Sequence, residues 1–210
     1  MVEPPLQPGP EGPHAHPHKT GHARLDVVLA LAAVFISGVS LYVAIEHGKT
    51  ERDLVEANSW PFLQASVDAG YGADRNVTLG LVNVGVGPAK LKWLEVFFNG
   101  APVSSARDLL RRCCGLPVDT RSDANVGLVL DYEVKRVVAR DNEVHLVTVL
   151  RKTADPAVVA RLEHSLPRVK FRACYCSVFD QCWTTDLMGT DADHVKVCPT
   201  PTAPFQPGGA

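Results

Sequence analysis

Six cysteines, all after residue 112, are the side chains of this 210-residue sequence with the clearest capacity for chemistry. Cys113 and Cys114 are adjacent, Cys174 and Cys176 are two apart, and Cys182 and Cys198 follow singly. Such a set can form structural disulfides, hold a metal, or act as redox-active thiols. Zinc favours a C-x₂₋₄-C spacing, because two thiolates then converge on one tetrahedral centre. A metal site of Cys174, Cys176, Cys182 and Cys198 departs from that pattern, and a redox-active C-x-x-C is absent. Disulfides are the expected state. Residues two apart on a strand share a face while their sulfurs diverge, and neighbouring cysteines are poor partners for the same reason. Setting aside both close pairs leaves roughly ten of the fifteen possible pairings. Cys174 and Cys176 should then reach Cys182, Cys198 or the Cys113-Cys114 loop.

The remaining candidates are weaker. His14, His16, His18 and His22 could bind a transition metal, but on a polar tail the cost of ordering is high. His145, His164 and His194 fall in different elements, and no serine sits in a G-x-S-x-G turn, so no triad is nominated. Asp191 and Asp193 lack the later glutamate of a calcium loop. Asn76-Val77-Thr78 fits the glycosylation sequon, which matters only in a eukaryotic secretory pathway. No catalytic residue, cofactor or metal is expected from these patterns.

The elements that position the cysteines begin with a membrane anchor. Val27 to Ile45 (VVLALAAVFISGVSLYVAI) contains no charged residue. As a helix it would span roughly 28 Å, close to the hydrocarbon core of a bilayer. It has no polar face, as a soluble helix would, and no A-x-A-like site follows it, as after a signal peptide. The lipid bilayer is thus the first expected partner. Lys19 and Arg24 precede the span and Lys49 and Arg52 follow it, so flanking charge does not orient it. The cysteines do: disulfides persist outside the cytosol. The N-terminus is placed in the cytoplasm and residues 47–210 outside it, which in a bacterium means an inner-membrane protein with a periplasmic domain.

Residues 1–24 are proline- and histidine-rich and are expected to be a disordered tail, with the membrane helix over 25–47 and a polar helical stalk over 48–60. Trp60-Pro61 stops the helix. From 61 to 198 the period becomes two. Strands are expected at Leu63 to Asp68, Val77 to Leu81, Leu91 to Phe98, Val134 to Ala139, Val144 to Leu150, Val169 to Val178 and near Val195 to Cys198. Arg140-Asp141-Asn142 suits a hairpin between the fourth and fifth of these, although Leu130 to Val138 also has helical spacing. Within Val169 to Val178, alternation puts Val169, Phe171, Ala173 and Tyr175 on one face and Cys174 and Cys176 on the other. Helices are expected at Ser104 to Arg112 and Ala154 to Leu166, the second capped by Asp155 with Pro156 at its first position. Asn99-Gly100 is a strong turn dipeptide. In the Asn83, Gly85, Gly87, Pro88 turn, glycine permits unusual backbone angles and asparagine can bond nearby backbone. Residues 199–210 read as a second disordered tail. The fold class is mainly β: a transmembrane helix followed by an antiparallel β-sandwich-like domain with two short helical insertions.

The order SGVSLYVAIEH, SWPFLQ, LVNVGVGPAKLKWLEVFFNG and CYCSVFDQCW resembles a group of bacterial single-pass inner-membrane proteins of unassigned function. Those share an N-x-G-x-G-P-A turn, here Asn83 to Ala89, and a C-terminal Y-C-S strand, here Tyr175, Cys176 and Ser177. The resemblance implies an envelope location and a sandwich-like domain; it brings no activity.

A formal net charge of −2 gives no electrostatic case for nucleic acid. The leading functional expectation is a non-catalytic interaction module of the cell envelope with a protein partner. An envelope hydrolase or thiol oxidoreductase, and a transmembrane sensor or assembly subunit, are the alternatives.

Overall fold

The structure, a computed structural model, describes residues 23–69, 76–117, 126–131 and 133–209. The tail over 1–24, with His14, His16, His18 and His22, lies almost wholly outside the described residues. The chain forms two compact units, residues 1–51 and 52–210.

Helix α1 runs without a break from Ala23 to Ala57, so the apolar span and the polar stalk are one helix. None of its residues is buried, and it is long and apolar enough to cross a membrane. Within the second unit the chain folds as strands β1 (Leu63–Asp68), β2 (Val77–Asn83), β3 (Ala89–Phe98) and β4 (Ala101–Val103), then helix α2 (Ala106–Cys114). Strands β5 (Leu128–Leu130), β6 (Arg136–Val138) and β7 (Glu143–Val149) lead to helix α3 (Pro156–Ser165). The last strands are β8 (Val169–Cys176), β9 (Cys182–Thr185) and β10 (Asp193–Val195).

All pairings are antiparallel and make two sheets. One has the order β1-β2-β7-β5; the other has β10-β9-β8-β3-β4, with β6 also paired to β3. This is the expected mainly β architecture with helical insertions. The main core takes Val77, Leu79 and Leu81 of β2, Leu94, Val96 and Phe98 of β3, and Val169, Phe171, Ala173 and Tyr175 of β8. Alternation along β8 leaves Cys174 and Cys176 on the opposite face, in a second small cluster with Trp93 and Cys182. A register shift between Leu91 and Trp93 explains why both Trp93 and Leu94 are buried: β3 changes facing there.

Local chemistry sets the helix ends. Ser105 Oγ accepts from the Asp108 amide to cap α2, and Asp155 caps α3 by accepting from the Ala157 amide at 2.8 Å, with Pro156 in the first turn. Asn99 and Gly100 both have positive φ (51° and 79°), so the two-residue turn closes the β3–β4 hairpin.

Three expectations are corrected. Val134–Ala139 and Val144–Leu150 do not form a hairpin: β6 joins β3 in one sheet and β7 joins β2 and β5 in the other. The chain crosses between sheets at Arg140–Asn142, where Asp141 has φ 56° and its amide donates to the Asn83 carbonyl. The expected strand at Val195 to Cys198 lies earlier, at Asp193–Val195, because Cys198 leaves the sheet edge to cross its face. Finally, residues 199–209 are not a free tail. They form a strap in which Phe205 is buried and its amide donates to the Leu94 carbonyl at 2.7 Å. Gln206 N donates to Ser104 O, and Pro207 O accepts from Ala106 N.

Candidate binding trough on the outer face

The turn from Asn83 to Pro88 holds the start of the domain. Asn83 is fully buried, and its side chain serves four backbone groups. Oδ1 accepts from the amides of Phe62 and Gly85, both at 3.1 Å; Nδ2 donates to the carbonyls of Gly87 at 2.8 Å and Val138 at 3.0 Å. One amide thereby joins the chain entering β1, the turn itself and the end of β6. A methyl group at Gly85 would run into the Phe62 amide, and one at Gly87 into the Ser59 carbonyl. These glycines therefore permit a close backbone approach.

Cys174 is joined to Cys198 and Cys176 to Cys182, both across the outer face of the larger sheet, and Cys113 is joined to Cys114. The four C-terminal cysteines pair in the manner open to them in sequence. The adjacent pair does not follow the expectation. It ends a helix rather than lying on an extended chain, with Gly115 turning away at φ 69°, and two neighbours can close a small ring there. No cysteine is free. The Sγ atoms of Cys176, Cys182 and Cys198 lie within 4.8 Å of one another. As disulfide sulfurs they offer no thiolate, which is the form a metal requires.

The strap is held over this face by polar contacts that sequence reasoning missed. Trp93 Nε1 donates to the Pro199 carbonyl at 2.7 Å. Glu95 is fully buried, and its Oε1 accepts from Thr202 N at 2.6 Å, Thr202 Oγ1 at 2.9 Å and Ala203 N at 2.8 Å. Burial pushes the Glu95 carboxyl upwards. The hydrogen bonds from Ala203 and Thr202, with the charge of Arg172 nearby, outweigh that and hold it below the usual glutamate value. Arg172 Nη1 lies 3.8 Å from Glu95 Oε2, and its guanidinium sits 5.8 Å from the centre of the Trp93 ring. The available signal was a single acid among the apolar residues of LKWLEVFF, whose other charged residue is Lys92.

Beside the strap is a trough of about 840 Å³. Its base is β3 from Lys90 to Trp93. Lys135 with Arg136 and Val137 of β6 form one side, Lys196 to Cys198 and the first residues of the strap another, and Asp180 and Cys182 border the end. Lys90 pairs with Asp180, whose carboxyl is held below its usual value by that hydrogen bond and charge. Arg136 is engaged by Asp131, with Nη2 donating to Oδ1 at 2.6 Å, and that contact likewise lowers the Asp131 carboxyl. Among the described residues, Lys92, Lys135 and Lys196 have no carboxylate within ion-pair distance, although the charge of Lys92 helps to lower the Asp180 carboxyl, so the trough carries an excess of positive charge. Val137 (61% exposed) and Val197 (77% exposed) add apolar surface at its rim.

Neither a protein-family model nor a curated protein nor a solved structure matches this chain.

Among the described residues, His145, His164 and His194 are not gathered into one site. His145 borders a second, open cavity of about 630 Å³ with Asp131, Glu133 and Thr148. Asp131 is taken by Arg136, and Thr148 Oγ1 lies 3.4 Å from Thr78 Oγ1. His145 Nε2 lies 3.5 Å from Glu143 Oε1, which also accepts from Ser66 Oγ; all three sit on an open surface, and the serine hydroxyl is bonded to the carboxylate rather than to the imidazole. His164 is exposed on α3, and His194 meets the Trp183 ring edge-on with centroids 5.9 Å apart. Asp191 contributes a backbone carbonyl to Thr185 Oγ1, and Asn76 Oδ1 accepts from the Arg151 amide. Tyr175 stacks on Trp183 in the core, where burial pushes its hydroxyl up to about 12.

Proposed function

We propose that this chain is a membrane-anchored, extracytoplasmic interaction module, which in a bacterium would place the domain in the periplasm and the N-terminus in the cytoplasm. It binds a protein of the envelope and performs no turnover. The observation that carries this reading is the trough, in which Lys92, Lys135 and Lys196 stand beside the exposed Val137 and Val197, next to a strap tied down by the Cys174–Cys198 disulfide. Fixed charge around a concave apolar surface suits recognition. Catalysis would need a nucleophile aligned with a base, and the Ser66 hydroxyl beside His145 is directed at the Glu143 carboxylate instead of the imidazole. The apolar α1 and the bonded cysteines support the anchor and the compartment, in line with the family resemblance.

A photo-crosslinking side chain placed at Val137, on the trough rim, tests the reading in cells. Val129, half-exposed on the other sheet, is the control position. A discrete protein adduct from position 137, absent from position 129, is expected. Equal adducts at both positions, or none at 137, would refute a binding trough. The compartment is tested by labelling cells with a membrane-impermeant thiol reagent before and after external reduction. Six thiols already free before reduction would overturn the assignment.

A further inference from the structure

We propose that the trough takes an extended, acidic segment of a partner polypeptide, one in which carboxylate side chains alternate with small apolar ones. This deepens the interaction reading above and rests on it. The trough crosses the outer face of the sheet from β6 over β3 to the turn between β8 and β9. Strands lie about 4.8 Å apart, so those two and a half intervals cover roughly 12 Å, the length of between three and four extended residues at ~3.4 Å each. The opening is therefore a channel for a chain rather than a socket for one small anion.

Its chemistry is two-sided. The charge is distributed around and beneath it: Lys135 just before β6, Lys92 on the base where β3 shifts register, and Lys196 just ahead of the strap. The apolar surfaces are the edge of Trp93 and the Cys176–Cys182 disulfide at the base, both almost wholly buried, and the exposed Val137 and Val197 at the rim. Trp93 is 6% exposed and its indole N–H is already bonded to Pro199, so the ring contributes a surface and no further donor. An alternating chain presents side chains to opposite sides every second residue, so valine-sized groups meet the base while carboxylates meet the lysines. Inorganic polyphosphate has nothing to place against the apolar base. A lipid surface presents its charge as a plane, whereas this base lies between raised walls. Lys90 and Arg136 already carry carboxylates of the chain itself, on Asp180 and Asp131, which demonstrates the kind of group the walls accept.

The test uses the full chain in neutral detergent and a fluorescent octapeptide alternating aspartate with valine. Binding is expected to weaken with added salt, and to fall by about tenfold or more in the Lys92→Glu/Lys196→Glu double variant. The Lys92→Gln/Lys196→Gln variant should fall between, which separates charge from damage to the fold. The asparagine–valine analogue should not bind. Equal binding of that analogue, or binding unchanged by the double variants, overturns the inference. So does trough-dependent binding of polyphosphate or phosphatidylglycerol vesicles without binding of the peptide. A protein adduct from position 137 with no peptide binding would defeat the acidic-segment inference alone. Failure of both experiments would defeat the interaction reading as well.

Discussion

Replacing Glu95 by alanine should free the strap without unfolding the sheets. The carboxylate accepts three hydrogen bonds, from Thr202 N, Thr202 Oγ1 and Ala203 N, through one oxygen. Hydrogen bonds to a charged group contribute about 1.5–3 kcal/mol each. Two effects reduce the sum: removal relieves the burial of a charge, and Thr202 is exposed, so water can replace the lost acceptor there. A net loss of about 2 kcal/mol follows, which is roughly a 30-fold rise in strap opening. Amide exchange at Thr202 and Ala203 in the full chain reads this directly, because the Cys174–Cys198 bond keeps the loosened strap attached. The pH dependence is a second readout. Glu95 is depressed below its ordinary value of 4.5, so its contribution is complete above that pH. It is lost as pH falls from there through the lower folded value. The protection of the strap amides, measured against their intrinsic exchange rate at each pH, should therefore fall on acidification in the parent chain, and this dependence should be lost in Glu95→Gln. Unchanged protection in Glu95→Ala, with the rest of the fold intact, would refute the assignment of Glu95 as the strap's anchor.

The disulfides should differ in weight. Removing Cys174 and Cys198 together, a separation of 24 residues, should cost roughly 3.5 kcal/mol; removing Cys176 and Cys182, six apart, roughly 2.5. Denaturant midpoints of the two double-alanine variants check the order, and the reverse order would reject the loop-closure account. Asn83→Ala orphans two amides and two carbonyls in a dry site, and should cost about 3 kcal/mol or more in the same assay. A loss below about 1 kcal/mol would mean that the four bonds contribute little.

What the sequence disclosed follows the range of the forces involved. Alternation along Val169 to Tyr175 and the cap at Asp155 are local, and both are found in the structure. The Arg140–Asn142 segment misled for the opposite reason. Turn residues between two apolar runs read as a hairpin, yet the partners of those runs lie elsewhere in the chain: Val138 pairs with Ala89, and Val144 with Leu81. The tail misled through composition. PTPTAPFQPGG has few groups that build regular structure, and a single aromatic, Phe205, does its burying. Nothing within the segment reveals that Glu95, more than 100 residues earlier, waits for its amides.

The strap also explains why a trough exists at all. Strand β6 pairs with β3 only over Ala89 to Leu91, and β4 only over Val96 to Phe98. Between them the middle of β3 has no neighbouring strand on that edge. An uncovered edge of this kind invites pairing with other chains. The strap partly fills the gap, with the Phe205 amide on the Leu94 carbonyl, and then departs towards α2. It covers Glu95 and bonds Trp93 but leaves Lys92 beside open space, bordered by β6, by Lys196 to Cys198 and by its own first residues. One device thus closes the edge at Leu94 and raises a wall alongside Lys92. If that is correct, loosening the strap in Glu95→Ala should also weaken binding of the aspartate–valine octapeptide, although Glu95 does not line the trough and removing its negative charge should by itself favour an acidic ligand. Tighter binding in that variant would show that charge alone governs the trough and that the wall is dispensable.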